Sequence, residues 1–195
     1  MMDTKRLILR QWTDEDYEPY AQLNADLNVM RYFPSMLSRQ ESDEQATIIR
    51  SLIDKKGWGF WAVELKSTGK FIGFVGLHGQ DEKSGLPNTP MIEIGWRLSS
   101  EHWGCSYAPE AAAKALAFAF ETLSAPAIYS FTPLQNKPSQ RVMWKLGMDD
   151  TNQDFNHPRL AACHPLERHC LYWITKDKWY QSNQQKRKWT INDEY

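Results

Sequence analysis

The most informative segment of this 195-residue sequence is a loop of mostly small residues that leads into an alanine-rich helix. The loop spans 103–108 (WGCSYA), and the helix is predicted over 109–123, where Pro109 is tolerated because it falls in the first turn. The first turn of a helix carries backbone N–H groups without helical partners, and the helix dipole favours negative charge there. The segment therefore predicts a binding site for a diphosphate.

Two better-known phosphate-binding motifs do not fit this segment. A dinucleotide-binding fold would place Gly-x-Gly-x-x-Gly after the first strand of a βαβ unit, and neither the glycines nor their position matches. A P-loop would need Gly-Lys-Ser or Gly-Lys-Thr, which the sequence lacks. The loop must therefore belong to another kind of site.

The first half of the chain is predicted to contain one strand, two helices and three further strands. Residues 6–12 alternate polar and apolar side chains, as a half-buried strand does, and capping boxes open helices over 13–24 and 38–56. The second helix carries an apolar stripe formed by Ile48, Ile49, Leu52 and Ile53. Apolar runs predict consecutive antiparallel strands over 59–65, 71–78 and 91–98. The hairpin loop 66–70 places Gly69 where a positive φ is expected.

The second half adds shorter elements to this sheet. After the alanine-rich helix, the sequence predicts a strand over 127–132, a helix over 138–145 and a last strand over 171–175. Gly147 is expected to terminate the helix before it. Helices that interrupt an antiparallel sheet indicate an α+β fold.

Composition limits the classes of protein that the chain can belong to. Its 23 Lys and Arg nearly balance 24 Asp and Glu, which argues against a nucleic-acid partner, and no apolar run is long enough for a membrane span. Three irregularly spaced cysteines do not form a disulfide framework. We expect a cytoplasmic protein with a single domain over 1–195, whose core covers about 4–175 and whose polar tail covers 176–195.

Taken in order, several segments resemble the GNAT superfamily of acetyltransferases, in the branch that contains the ribosomal-protein N-terminal alanine acetyltransferases. The resemblance covers about residues 4–175. It rests on the segments TKRLILR (4–10), WAV (61–63), IGFVGL (72–77), EIGW (93–96), WGCSYAPEA (103–111), NKPS (136–139) and KLGM (145–148). It implies a mixed, mostly antiparallel central sheet that is splayed at a coenzyme cleft and flanked by helices, with acetyl coenzyme A (acetyl-CoA) as cosubstrate and no metal.

The resemblance also implies which residues contact the coenzyme. The pantetheine arm would lie against backbone groups near Trp96 and Leu98, where the third long strand separates from the next one. Asn136 matches an asparagine that contacts this arm, and Ser139 matches a serine near the thioester sulfur. The other predicted coenzyme contacts are Trp103, Gly104, Cys105, Ser106, Tyr107 and Ala108.

The loop departs from the pattern of the family, which is Gln/Arg-x-x-Gly-x-Gly/Ala. Trp103 occupies the first place, and Ser106 stands where glycine is usual. A β-carbon penalises positive φ and keeps the backbone farther from a phosphate, which would weaken coenzyme binding. The serine hydroxyl, in contrast, could donate to a phosphate oxygen.

Direct attack of an amine on a thioester needs a base for the amine proton and stabilisation of the departing thiolate. Glu93 is the candidate base, acting through a water molecule, and the alternative is an ordinary strand carboxylate in a surface ion pair. Ser139 is the candidate hydrogen-bond donor to the leaving sulfur, and the alternative is a serine that satisfies its own helix N-terminus. Both alternatives stay open at the level of the sequence.

Two further kinds of chemistry are considered and set aside. Cys105 precedes a helix N-terminus, which lowers a thiol pKa, but the family that the chain resembles uses direct transfer rather than a covalent intermediate. A region rich in His and Cys contains no zinc-ligand spacing, and its histidines are expected near the acceptor cleft. Its members are His157, Cys163, His164, His169 and Cys170.

Aromatic residues before and along the predicted strands are candidates for an acceptor pocket, although core packing is the expected role for most of them. They are Tyr32, Phe33, Trp58, Phe60, Trp61 and Trp96.

The sequence thus predicts an N-acetyltransferase that moves an acetyl group from acetyl-CoA to a primary amine, either a protein N-terminus or a small molecule. The alternative is a catalytically weak acyl-CoA-binding module, motivated by Ser106 and by the lack of an obvious tyrosine acid after Asn136. A third hypothesis is an interaction protein with an aromatic surface and no coenzyme affinity. An exposed sheet edge is compatible with a monomer or a homodimer.

Overall fold

An open sheet of nine strands organises the computed structural model, which describes residues 1–182. The strands are β1 (Met2–Asp3), β2 (Leu7–Arg10), β3 (Phe60–Leu65), β4 (Phe71–Gln80), β5 (Met91–Leu98), β6 (Ala127–Pro133), β7 (Asp149–Asp150), β8 (Phe155–Asn156) and β9 (Arg168–Thr175). The helices are α1 (Tyr17–Asn24), α2 (Leu27–Met30), α3 (Arg39–Lys56), α4 (Tyr107–Glu121) and α5 (Lys137–Lys145). Single 3₁₀ turns lie at Asp14–Asp16, Glu82–Ser84 and Ser100–His102.

The strand order is β1-β2-β3-β4-β5-β6-β9-β7, and β8 also pairs with β9. Every pair is antiparallel except β5 with β6, which is parallel. This arrangement confirms the predicted mixed, mostly antiparallel sheet with three consecutive antiparallel long strands. It also confirms that helices flank the sheet.

Local sequence signals explain most element boundaries. Ser38 accepts a hydrogen bond from the Glu41 amide and the Glu41 carboxylate accepts one back, so the predicted capping box opens α3. Gly57 ends α3 with a φ of 77°, and Gly147 follows α5 with a φ of 80°. Gly69 has the positive φ expected in the hairpin loop.

Several predicted boundaries need correction. The helix expected over 13–24 begins as the 3₁₀ turn Asp14–Asp16, and the unpredicted helix α2 follows because Asp26 caps it through the Asn28 amide. The alanine-rich helix begins two residues earlier than predicted, at Tyr107, and the last strand begins three residues earlier, at Arg168. The start of that strand was missed because its first residues are polar. They are in the strand because they pair with β6, and their own hydrophobicity does not indicate it.

The predicted stripe on α3 faces two environments. Ile49 and Ile53 are buried in the core, whereas Ile48 is 59% exposed and borders a cleft together with Leu52. The predicted apolar stripe is therefore present on α3, but only part of it is buried against the sheet. The exposed part of the stripe lies where a ligand can reach it.

The two faces of the sheet bury different helices. Adjacent residues of β3 point to opposite faces, so Phe60 contacts Phe74 while Trp61 packs edge-on against Phe118 of α4. Phe74 in turn contacts Tyr20 of α1. One face of the sheet is therefore covered by α1 and α3, and the other by α4.

Gly73 lets β4 approach β5 at a distance that no side chain permits. Its φ is 135°, and a Cβ atom at this position would lie 2.1 Å from the carbonyl oxygen of Arg97. The pairing between β3 and β4 shifts register beside it, at Val63 and Glu64. The absence of a side chain at Gly73 thus sets the position of the carboxyl end of β5.

The start of the chain is anchored to the first turn of α4. The carboxylate of Glu110 accepts hydrogen bonds from the Thr4 hydroxyl at 2.6 Å, the Arg6 amide at 2.9 Å and the Arg6 Nε at 2.7 Å. Burial raises the pKa of Glu110, but these bonds from Thr4 and Arg6 outweigh it and hold the pKa below its usual value. The N-terminal end of α4 is thereby fixed against β2.

The helix at the end of the described chain runs over 176–182, where the polar tail predicted over 176–195 begins. The Lys186-Arg187-Lys188 charge run within that tail lies outside the described residues. Among the helices of the part of the chain that the structure describes, none has the length and apolar character needed to cross a bilayer.

Candidate functional site

The sheet opens between β5 and β6. These strands share one register pair, Glu93 with Tyr129, whereas β5 pairs with β4 along its whole length. At this point the buried Ser130 hydroxyl donates to the carbonyl oxygen of Ile94 at 3.0 Å and joins the two strands. Toward their carboxyl ends the strands part, as the sequence comparison with the family had implied.

A cleft of about 1170 Å³ occupies the opening and extends to both faces of the sheet. It brings together all the predicted site residues except Cys105. Its lining includes Glu93, Trp96, Leu98, Trp103, Gly104, Ser106, Tyr107, Ala108, Asn136 and Ser139. The free thiol of Cys105 is exposed.

The loop before α4 presents five consecutive amide groups. The N–H groups of residues 104–108 find no hydrogen-bond partner among the described residues, and no side chain caps α4. The first helical bond near this turn runs from the Glu110 amide to the Ser106 carbonyl at 3.3 Å. Amides that are left unpaired at a helix N-terminus form a site for an anion such as a diphosphate.

Ser106 adopts the backbone conformation that glycine normally supplies in such loops. Its φ of 60° and ψ of 25° lie in the left-handed region, and Gly104 two residues earlier has a φ of 76°. A left-handed conformation costs a non-glycine residue about 1–2 kcal/mol. The penalty expected for the β-carbon is therefore present in the structure, and the loop keeps its course in spite of it.

Trp103 fixes the beginning of the loop to the end of β5. Its indole Nε1 donates to the carbonyl oxygen of Leu98 at 2.9 Å, and the guanidinium of Arg31 lies 5.9 Å from its ring centroid. One lone pair of the Leu98 carbonyl is therefore already used within the protein. Trp103 thus acts on the loop by positioning it.

The hydroxyl oxygen of Ser139 accepts two hydrogen bonds from neighbouring side chains. Its oxygen accepts hydrogen bonds from the Trp96 indole at 3.3 Å and from the Asn136 side-chain amide at 3.1 Å. The same amide group donates to the Thr132 hydroxyl at 2.8 Å. A serine oxygen has two lone pairs, so these donors occupy both and leave the hydroxyl proton for a further acceptor.

Asn136 is also the N-cap of α5, because its Oδ1 accepts a hydrogen bond from the Ser139 amide at 3.2 Å. Both of its side-chain protons and one carbonyl lone pair are therefore engaged inside the protein. Its position at the cleft is as predicted, and its geometry makes it a support for Ser139.

Glu93 is a carboxylic acid in an apolar setting. Its Oε2 is buried and has no hydrogen-bond partner among the described residues. Burial raises its pKa to about 7, while Gln80 and Arg159 act in the opposite direction. The alternative of an ordinary ion-paired surface carboxylate is therefore wrong for the described part of the chain, in which no cation lies within 4.0 Å of Glu93.

The cleft lining also contains two histidines that are neutral at pH 7. The rings of His157 and His169 lie 4.9 Å apart beside Phe131 and Phe155. Burial and the neighbouring His169 lower the pKa of His157 to about 4, and burial also lowers that of His169. These two histidines lie at the cleft, as expected from the sequence.

The other members of the region rich in His and Cys take no part in the cleft lining. Cys163 is exposed, and Cys170 is buried with its thiol donating to the Thr132 carbonyl oxygen at 3.4 Å. Burial raises the pKa of Cys170 to about 11, which keeps this thiol protonated. Within residues 1–182, no three His, Cys, Asp or Glu side chains are grouped so that they could hold a metal ion.

The predicted aromatic residues divide between the core and the cleft. Trp61 is a core residue, and Trp58 lies beside Lys56 outside the main cleft. Core packing is confirmed for most of them, because five of the six lie in the hydrophobic core or pack against it, and four of the six also line the cleft. These four are Tyr32, Phe33, Phe60 and Trp96.

Arg97 is the main cleft residue that the sequence analysis missed. It lies on the same face of β5 as Glu93, because the two residues are four positions apart in a strand. The signal was a cation in an otherwise apolar strand, next to the Gly-Trp pair that carries the family resemblance. It went unused because Arg97 reads as a surface residue when the helices that cover it are unknown.

The parted sheet, the uncapped N-terminus of α4 and the cleft through the opening are the arrangement that the resemblance to the GNAT superfamily implies. A family model described as "Acetyltransferase (GNAT) domain" matches residues 6–149, and the chain belongs to this family. Acetyl-CoA is the acetyl donor that the family uses.

Individual relatives and solved structures agree with the family assignment. The uncharacterized N-acetyltransferase YoaA of Bacillus subtilis (strain 168) is 31% identical over 151 residues, which cover 75% of this chain and 81% of YoaA. The acetyltransferase (GNAT family) from Bacillus anthracis superposes with a TM-score of 0.75 at 21% identity, covering 90% of this chain and 98% of that one.

A third similar protein was solved with ligands. The spermidine N-acetyltransferase from Vibrio cholerae in complex with CoA and spermine has a TM-score of 0.71 at 19% identity, with 91% of this chain and 99% of that chain covered. At this identity the similarity establishes the fold alone.

Replacing Ser106 with glycine tests whether the left-handed loop conformation limits coenzyme binding. Ser106→Gly removes the β-carbon penalty, so CoA should bind as tightly as in the wild type or up to about tenfold more tightly by titration calorimetry. Ser106→Val, with a β-branched side chain at a positive φ, should bind CoA more weakly.

Ser124 provides the matched control, because it is also exposed and left-handed, with a φ of 53°, but lies after α4 and away from the loop. Ser124→Gly should leave CoA affinity unchanged. Loss of CoA binding in Ser106→Gly would show that the hydroxyl contributes more than the strain costs.

Proposed function

We propose that this protein transfers the acetyl group of acetyl-CoA to a primary amine by direct attack on the thioester, with Glu93 as base and Ser139 as donor to the leaving sulfur. The observation that carries the proposal is the Ser139 hydroxyl, whose proton is free at the place where β5 and β6 part. The acceptor is a protein N-terminus or a small-molecule amine.

The coenzyme is proposed to enter with its diphosphate on the amides of residues 104–108 and its pantetheine between β5 and β6. Backbone N–H and C=O groups of β5 near Trp96 and Leu98 that are not paired with β4 would form hydrogen bonds with the pantetheine arm. Trp96 also places its indole on Ser139, so the same segment would hold both the arm and the group that assists thiolate departure.

The two catalytic groups lie on different sides of the opening. Glu93 shares the face of β5 that α1 and α3 cover, whereas Trp96, on the opposite face, contacts Ser139 of α5. Three residues of strand place Glu93 about 10 Å along β5 from Trp96. The side chains and water between Glu93 and the acceptor nitrogen cross this separation in the proposed mechanism.

The reaction then proceeds in two bond changes. The neutral amine forms a C–N bond with the thioester carbonyl carbon, and its proton passes through the water to the Glu93 carboxylate. The tetrahedral intermediate collapses with cleavage of the C–S bond, and the Ser139 hydroxyl donates a hydrogen bond to the thiolate of CoA. The products are the N-acetylated amine and CoA; the thiolate takes a proton from solvent, and Glu93 releases to solvent the proton that it took from the amine.

The surroundings of Glu93 favour this chemistry. A base is most effective when its pKa lies near the working pH, and burial places that of Glu93 at about 7. The neighbouring His78 has its pKa lowered by burial and by Lys56, so it adds no positive charge at neutral pH. An acceptor amine here meets a weakly solvated site, which disfavours its charged, unreactive form.

The alternative of a catalytically weak acyl-CoA-binding module makes the opposite prediction about turnover. It was motivated by Ser106, which does distort toward the left-handed region, but the loop remains open with its amides unpaired. Binding of CoA without acetylation of any amine would favour that module.

The pH dependence of acetyl transfer tests the proposed function. Thiol release from acetyl-CoA should be observed with members of a panel of peptides, polyamines, amino acids and aminoglycosides. With a good acceptor, kcat/KM should rise as pH rises through about 7, because only ionised Glu93 accepts a proton. In Glu93→Gln, the rise of kcat/KM with pH should disappear, and the rate should fall by about 10²–10⁴-fold.

Glu121→Gln, at the exposed end of α4, is the control and should keep the wild-type profile. No transfer to any amine by a wild-type protein that binds CoA would contradict the proposed function. A Glu93→Gln variant with the full rate would leave transfer intact but remove Glu93 from it.

Removal of the Ser139 hydroxyl tests the second proposed role. Ser139→Ala should lower kcat by about 10–100-fold, since a hydrogen bond to a charged group contributes about 1.5–3 kcal/mol. The KM for acetyl-CoA should change little, because the hydrogen bond forms to the departing thiolate.

Two comparisons sharpen this test. Ser67→Ala, in the exposed hairpin loop, should be kinetically silent. The Ser139→Ala substitution should reduce the rate of transfer less with an acyl donor whose leaving thiol is more acidic than with acetyl-CoA. Equal losses with both donors would indicate that Ser139 only shapes α5.

A further inference from the structure

The guanidinium of Arg97 is positioned by hydrogen bonds to uncharged side chains. Its Nη1 donates to Asn24 Oδ1 at 2.6 Å and to Gln45 Oε1 at 3.4 Å. The Tyr20 hydroxyl donates to the same Gln45 oxygen, and Asn24 donates to the buried Ser42. The guanidinium carbon lies 4.1 Å from the ring centroid of Phe33. These contacts fix the guanidinium in one orientation.

One edge of this guanidinium is left without a partner. Its Nε is buried and makes no hydrogen bond to any described residue, and Nη2 makes none either. The N–H of Nε and one N–H of Nη2 point the same way and form the fork that binds a carboxylate with two parallel hydrogen bonds. Arg97 also lines the cleft.

The charge of Arg97 is not neutralised within the described chain. Among residues 1–182, no Asp or Glu carboxylate lies within 4.0 Å of the Arg97 guanidinium. Burial lowers the pKa of Arg97, which reflects the cost of keeping this charge out of water. Proteins normally pair a buried charge, and an arginine with a free fork at a cleft is complementary to an anion that arrives with a ligand.

We propose that Arg97 binds a carboxylate of the amine acceptor, so that the preferred acceptors carry a carboxylate roughly 10 Å from the reactive nitrogen. This inference rests on the proposed function, because it assigns the class of acceptor for the same site. Arg97 is in this account a specificity-determining residue.

The spacing follows from the geometry of β5. Glu93 and Arg97 project from the same face, and four residues of strand separate their Cα atoms by about 13 Å. The amine is placed between Glu93, which takes its proton through water, and the thioester beside Ser139, and the carboxylate is placed at Arg97. An extended peptide spans about 3.3–3.6 Å per residue, so three residues span about 10–11 Å, and the water between Glu93 and the amine accounts for the rest of the separation.

The diphosphate of the coenzyme is the other anion that could reach a cation in this cleft. Two features favour the acceptor. The fork lies on the face of the sheet that α1 and α3 cover, whereas the free amides belong to α4 on the opposite face. The Phe33 and Gln45 side chains, which contact the guanidinium, lie on the same side of the sheet as α1 and α3. The measurements below separate the two anions.

A matched pair of acceptors provides the probe: tri-alanine with a free carboxylate and tri-alanine with a C-terminal amide. The two peptides differ in one charge, and three residues separate that charge from the reactive amine. Acetylation of each is measured with wild type, Arg97→Gln, Arg97→Lys and Arg159→Gln. Arg159 is the control for the preference between the two peptides, because it is an exposed cation that lines the same cleft and its effect on Glu93 changes the rates with both peptides alike.

The wild type should prefer the acid over the amide by at least about tenfold in kcat/KM, the size of one charge-assisted hydrogen bond. Arg97→Gln should abolish this preference through a higher KM for the acid, and Arg97→Lys should restore part of it. CoA affinity, measured by calorimetry, should stay near the wild-type value in both variants and verifies that they are folded.

Three results would overturn the proposal: equal use of both peptides by the wild type, a preference that persists in Arg97→Gln, or one that disappears in Arg159→Gln instead. Weakened CoA binding in Arg97→Gln with an unchanged acid preference would assign the fork to the diphosphate. If neither peptide is acetylated, the wider amine panel decides the proposed function, and calorimetry of the two peptides on the CoA-bound protein decides Arg97: tighter binding of the acid supports the inference, and equal binding refutes it.

Discussion

The unequal pairing of β5 is the constraint on which the site depends. On one side, β5 pairs with β4 from Met91 to Leu98, and the close approach at Gly73 fixes its carboxyl end. On the other side it meets β6 at a single register pair, beside the bond between Ser130 and Ile94. A strand held so firmly along one edge can leave its other edge open without losing its place in the sheet. The cleft is the space that this asymmetry creates.

Strand alternation then divides β5 into two sets of side chains. Trp96 contacts Ser139 on α5, while Glu93 and Arg97 point toward α1 and α3. Because the strands part here, both sets border one cleft although they lie on opposite faces of the sheet. In the proposed mechanism one set handles the thiolate, and the other receives the amine and its proton. The separation keeps the Glu93 carboxylate from accepting the hydrogen bond that the Ser139 hydroxyl is proposed to donate to the thiolate.

Much of the fold could be predicted from the sequence because its signals are local. The Ser38–Glu41 capping box, Gly69 in the hairpin and the apolar run over 91–98 each fix an element within a few residues. The loop before α4 was also readable, including the strain at Ser106, since a serine in a glycine position implies a left-handed backbone. Short strands such as β7 and β8 were missed because pairing with β9 creates them.

The chemistry of the site was less predictable, since it depends on residues far apart in sequence. The free proton of Ser139 follows only when Trp96 is known to lie 3.3 Å away, 43 positions earlier in the chain. The raised pKa of Glu93 requires knowing that burial withdraws its carboxyl group from solvent and leaves its Oε2 without a hydrogen-bond partner among the described residues. Arg97 becomes informative once Asn24 and Gln45 are placed around it. Residue type suggests a role, and only the packing of several elements can establish it.

A crystal structure of the protein with acetyl-CoA would test the central claim most directly. The account predicts that diphosphate oxygens lie within about 2.7–3.2 Å of amide nitrogens of residues 104–108 and that the pantetheine separates β5 from β6. It also predicts that the thioester sulfur lies within hydrogen-bonding reach of the Ser139 hydroxyl. Coenzyme bound elsewhere, or strands β5 and β6 closed along their full length around an unliganded loop, would contradict it.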